Sequence, residues 1–162
     1  MTTKDAIRHT IEFCHRVVED YVNDLADRDL CVRSVPDSNH IAWQLGHLIS
    51  SDVHMLQALG RAAPTLPPTF DAAHSKETAT SDDPAKFCRK AEYLKLTEQV
   101  RSAKLAALAA TPEEDLDKPG PESMRAYAPT VGAVLMLLGT HWLMHAGQFV
   151  PIRRKLGKPA LY

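Results

Sequence analysis

Hydrophobic positions recur at three- and four-residue steps in four long stretches of this chain. In the first, residues 3–26, Ile7, Ile11, Cys14, Val18, Tyr21, Val22 and Leu25 form one stripe, while Lys4, Asp5, Glu12, Arg16, Glu19 and Asp20 fill the other faces. That period marks an amphipathic helix with one face on a core. The second stretch opens near Asp37 or Ser38, either able to cap a helix N-terminus, and stops at Gly60, a residue suited to helix termination. It carries Ile41, Leu45, Leu48, Ile49, Met55, Leu56 and Leu59. The third begins at Asp83-Pro84, a cap followed by a first-turn proline, and runs to Ala110. Its core candidates are Phe87, Tyr93 or Leu94, Leu96, Val100, Leu105 and Leu108. The fourth is capped by Thr130 and runs to Leu156, with Gly157 and Pro159 just beyond.

The connections are uneven. Residues 28–36 form a linker, and Thr111-Pro112-Glu113-Glu114 opens a short helical turn that Pro119-Gly120-Pro121 breaks. Residues 61–82, with Pro64, Pro67 and Pro68, read as a long irregular loop, either a lid or binding loop or a plain connector. No segment alternates with a two-residue period, so strands are not expected. The economical reading is all-α: an up-and-down four-helix bundle forming a single domain over residues 1–162.

Composition narrows the function classes. With 19 Lys and Arg against 20 Asp and Glu, the net charge of −1 offers no electrostatic basis for nucleic-acid binding. No run approaches the roughly 18 apolar residues of a membrane span, and the N-terminus lacks a secretory h-region. Cys14, Cys31 and Cys88 are widely spaced and have no CxxC partner; they suit packed, reduced thiols and a cytoplasmic location.

The histidines carry the candidate chemistry. His141 and His145 are four residues apart in an apolar helical stretch, so both rings lie on one helix face. Two imidazoles so placed can hold one metal ion. An HxxxH pair alone is a weak signal, because core carbonyls or hydroxyls can satisfy buried imidazoles equally well. Trp142 occupies the position of the glutamate general base of HExxH peptidases, which argues against peptide hydrolysis by that route. On the second helix His40, His47 and His54 recur every seven residues. Each step spans about 10.5 Å, so one ion can take only one of them. His47 is the central member and the best partner for the pair. His40, at the helix start, is expected to be solvated, and His54 either lines a cavity one level from the metal or lies on the surface.

Trp43-Gln44-Leu45-Gly46-His47-Leu48, together with His141-x-x-x-His145-x-x-Gln148 and Thr130-Val131-Gly132, resembles the DinB-like (DinB/YfiT) superfamily of four-helix bundle proteins. The resemblance extends to helix order and to the long loop after the second helix. It implies a divalent metal ion (Zn, Ni, Fe or Mn) on His47, His141 and His145. It also implies a small-molecule substrate and is compatible with a homodimer. Relatives include bacillithiol S-transferases and mycothiol-dependent maleylpyruvate isomerase, so a low-molecular-weight thiol is the implied co-substrate. His74 has no counterpart in the pattern and reads as a solvent histidine.

Three imidazoles leave a metal with open positions for a thiol, which would ionise there, or for water, which would supply hydroxide. The corresponding readings are a thiol transferase acting on an electrophile held under the 61–82 loop, a hydrolase, and a non-catalytic metal- or ligand-binding bundle. Gln148 is a candidate hydrogen-bond partner of the site, with a surface amide as the alternative. Trp43, one turn before His47, is a packing residue or a substrate contact. Arg153, Arg154 and Lys155 suit the negative end of the fourth helix dipole.

Overall fold

Capping groups set the ends of four long helices in the computed structural model, which describes residues 1–162. Helix α1 (Thr3–Asn23) starts on a reciprocal box: the Asp5 N–H donates to the Thr2 hydroxyl at 3.1 Å and the Thr2 N–H to the Asp5 carboxylate at 2.9 Å. Helix α2 (Ile41–Ala58) and the four-residue α3 (Phe70–Ala73) are followed by α4 (Lys90–Ala109) and α5 (Val131–Lys155). The Thr130 hydroxyl caps α5 by accepting the Ala133 N–H. Gly60 and Gly157 terminate α2 and α5 at φ 66° and 73°, the left-handed region that a side chain would disfavour.

Two helix starts differ from the expected ones. Neither Asp37 nor Ser38 caps α2, because Asp37 lies in the left-handed region and the Ser38 hydroxyl turns back to the Val35 carbonyl. The cap is His40, whose Nδ1 accepts the Trp43 N–H at 3.0 Å. Its Nε2–H then faces the Ser81 carbonyl at 3.1 Å, so His40 is buried and not solvated. Asp83 caps only the single turn Pro84–Lys86. The chain extends at Phe87 and α4 begins at Lys90, where Asp27, just beyond the end of α1, accepts the Lys90 N–H at 2.6 Å. A tertiary partner replaces the local cap.

The all-helical bundle matches the periodicity, and no helix is long and apolar enough to cross a membrane. Helix α1 packs on α5 and α4, and α2 packs on α4 and α5. The long segments after α1 and α4 therefore cross the bundle ends, and α1 and α2 occupy opposite corners. Gly139 makes the α1–α5 seam tight, because a Cβ there would stand 3.1 Å from the Ile11 backbone.

One apolar cluster gathers Tyr21, Tyr93, Trp142 and Phe149, and another gathers Ile7, Leu56, Leu108 and Leu135. At their boundary lies a buried polar group: Asp52, Lys104, His15 and the indole N–H of Trp142.

The 61–82 segment packs down on α2. Phe70 and His74 are both buried, correcting the solvent assignment of His74. The His74 ring meets the Tyr93 hydroxyl at 2.7 Å and the Phe70 carbonyl at 2.8 Å, above Gly46, where any Cβ would overlap it. Arg153 is also buried; it holds the Tyr21 carbonyl and Asp24, so it ties α5 to α1 beyond any service to the helix dipole.

Candidate metal centre

His47 lies mid-way along α2, and His141 and His145 lie one turn apart on α5. The packing of α2 on α5 brings the three rings together. Ring centroids are 5.3 Å apart for His47–His141, 5.3 Å for His47–His145 and 4.9 Å for His141–His145. One nitrogen from each ring falls within 4.8 Å of the other two.

Each ring is supported differently. Trp43 stacks on His47 at 5.0 Å with planes 5° apart, and its indole N–H donates to the Ser75 carbonyl at 2.9 Å. The 75–78 turn thus steadies the indole that steadies the imidazole. Gln44 is buried between the Asn39 carbonyl, which accepts its amide N–H at 2.7 Å, and His145. That orientation leaves the Gln44 oxygen to accept from His145 Nδ1–H at 2.8 Å. The proton is thereby placed on Nδ1, and Nε2 keeps a free lone pair, the tautomer that suits a metal ligand.

Burial disfavours the charged imidazolium. It holds the His47 ring below the ordinary histidine range. Burial, with repulsion from His47 and Lys104, pushes His141 down to about 4. Burial, with His141 and His47, pushes His145 down to about 3. All three rings are therefore neutral at pH 7, as metal ligation requires. An all-imidazole donor set fits Zn, Ni, Fe or Mn ions without excluding any of them.

A cavity of about 640 Å³ opens beside His47 and His141, walled by Met55, Met124, Tyr127 and Met144. The wall opposite α2 and α5 comes from residues 122–127, and no residue of the 61–82 segment lines it. The 61–82 segment approaches the cavity only through Asp71, which faces His54, and does not cover it. His54 lines the mouth, 60% exposed, with Nε2 3.2 Å from the Asp71 carboxylate. Gln148 is exposed on α5, and Gln44 takes the role of ring partner. Gln44 precedes His47 by three residues and shares its helix face, a spacing that could have identified it. The Asp52–Lys104 pair was also missed, although a lone acid among Ile49, Val53 and Leu56 is a recognisable sign of a buried partner.

Burial raises the pKa of all three cysteine thiols, Cys88 to about 11, so the chain supplies no activated sulfur of its own.

These features define an all-helical bundle protein with a three-histidine cluster at the head of a small-molecule-sized cavity. The chain belongs to the DinB superfamily, whose family model matches residues 10–149. A crystal structure of a conserved protein from Enterococcus faecalis shares the fold, with a TM-score of 0.70 and 16% identity over 98% of this chain and 99% of that one. No curated protein is significantly similar to the chain in sequence.

Proposed function

We propose that His47, His141 and His145 hold one divalent metal ion, and that the protein is a metal-dependent transferase presenting a low-molecular-weight thiol to an electrophile. The convergence of three neutral imidazoles within 4.8 Å at the end of a cavity carries this reading. A divalent ion there would lower the pKa of a coordinated thiol and make its sulfur a nucleophile near neutral pH. The chain's own part is to hold and orient. Gln44 fixes the proton of His145 on Nδ1, Trp43 holds the plane of His47, and the mainly apolar wall offers a surface for the electrophile.

One observation favours a thiol over water as the nucleophile. No Asp or Glu lines the cavity, so no carboxylate is placed to take a proton from water. We read residues 1–162 as one domain carrying this single site. The test is thiol conjugation to monochlorobimane by metal-loaded protein. It is expected to need both thiol and metal and to vanish in His47→Ala. Metal-dependent turnover of ester or amide substrates without thiol would establish hydrolysis instead. Absence of metal binding to protein purified without an affinity tag would overturn both.

A further inference from the structure

We propose that the cavity selects an uncharged, mainly apolar molecule with a single metal-binding head, and that Met55, Met124, Tyr127 and Met144 are its specificity determinants. This inference rests on the metal reading above.

The wall is built mainly of thioethers and hydrocarbon. Three methionines from α2, the 122–127 turn and α5 face the space, with Tyr127 across the opening. Methionine is unbranched and polarisable, so such a wall adapts to apolar shapes while offering no strong hydrogen bond. The volume of about 640 Å³ falls among those of ordinary small-molecule sites.

Charge is the deciding feature. No Lys or Arg lines the cavity. A ligand bearing a carboxylate or phosphate away from its metal-binding head would find no cation on this wall to pair with, and whatever part of it lay against the methionines would lose water without compensation. The mouth adds to the penalty. His54, the lining histidine outside the cluster, already faces the Asp71 carboxylate at 3.2 Å, so the acid next to the entrance opposes a second anion. The Ser51 and Ser123 hydroxyls and the Tyr127 hydroxyl can serve neutral polar groups. Tyr127 and Met144 are 66% and 60% exposed, apolar surface that a ligand in the cavity would cover.

The test uses cobalt-loaded protein and two thiols differing by one carboxylate: benzyl mercaptan and 4-(mercaptomethyl)benzoate. Each is titrated while the sulfur-to-cobalt charge-transfer absorption is followed. Benzyl mercaptan is expected to half-saturate at a concentration at least tenfold lower than its carboxylate analogue. In Met144→Lys, an exposed position where the change does not disturb the core, the added cation is expected to bring the two midpoints within about threefold. Equal midpoints in the unsubstituted protein, tighter binding of the carboxylate, or bands that neither thiol moves would overturn the assignment while leaving the metal site standing. Failure of cobalt to bind at all would overturn the metal reading and this one with it.

Discussion

The Lys104 ammonium sits 2.5 Å from the Asp52 carboxylate, and both side chains are wholly enclosed. The same carboxylate oxygen accepts the Trp142 indole N–H at 2.7 Å, and Lys104 also donates to the Leu138 carbonyl at 2.9 Å. Three helices therefore meet on one buried ion pair directly behind Trp142, the residue that follows His141. Burial pushes the Asp52 carboxyl up and the Lys104 ammonium down, and each opposes the other's shift by attraction. Removing one partner leaves a charge with no compensation. Lys104→Met is expected to cost about 3–5 kcal/mol of stability in urea denaturation. Lys104→Met combined with Asp52→Asn keeps an acceptor for the indole and should recover a large part of that loss. A double variant no more stable than the single one would locate the cost in packing and not in the charge.

His15 stacks on Trp142 with ring centroids 4.1 Å apart, and neither of its ring nitrogens is engaged by a protein atom. Burying polar nitrogens unpaired is unfavourable, whereas the ring's area is well packed. His15→Phe keeps the stack and removes the unpaired groups. It should raise stability by about 1 kcal/mol. A loss of stability instead would show that the fold gains more from the imidazole's fit than it loses by burying unpaired nitrogens.

Gln44 supplies the one hydrogen bond that orients a cluster ring. Gln44→Leu should weaken metal binding by about 10–100-fold, the usual effect of losing such a partner. Competition against a chelator of known affinity measures it. Gln148→Ala, at an exposed position of α5, is expected to leave the affinity unchanged.

Gly46 admits the His74 ring where a methyl group would overlap it. Gly46→Ala should displace His74 from Tyr93 and Phe70 and loosen the 70–78 segment, at a cost of about 1–3 kcal/mol. Faster amide exchange across 70–78, with α1 and α5 unchanged, is the expected signature. Uniform protection would show that the segment finds another seat.

Acid should destabilise the metal-free protein over a defined window. Burial lowers His141 to about 4 and His145 to about 3 and depresses His15 strongly. The unfolded chain, with histidines near the ordinary value of about 6.5, then binds more protons than the folded one below that pH. Stability is fully present above about pH 6.5 and falls as the pH drops toward 4. Urea midpoints measured from pH 8 to pH 4 check this, and a flat profile would mean the rings are protonated in the fold.

Much of this architecture is legible in the sequence because it follows from local rules. Apolar periodicity marks α1, α2, α4 and α5, and Gly60 and Gly157 mark two ends. His141 and His145 share a face by spacing alone, and α2–α5 packing brings His47 to them. What was not legible depends on partners far along the chain. Asp27 caps α4 from 63 positions away, which no local capping rule anticipates. His40 and His74 are buried because Ser81 and Tyr93 receive them. The side of the cluster on which the cavity opens depends on where residues 122–127 settle, and that short irregular turn carries no periodic signal.

Gly139 seats α5 against the backbone of Ile11 with no slack, which fixes the helix that carries His141 and His145. Ser123 and Tyr127, by contrast, stand on an exposed turn outside the four long helices. One side of the wall thus answers to a different stretch of the chain from the ligands, while Met55 and Met144 share their helices. Lineages, or engineers, can exchange the exposed Ser123 and Tyr127 to admit new molecules while buried Met124 anchors the turn and the histidines stay in register, which makes those positions the adaptable part of an otherwise rigid scaffold.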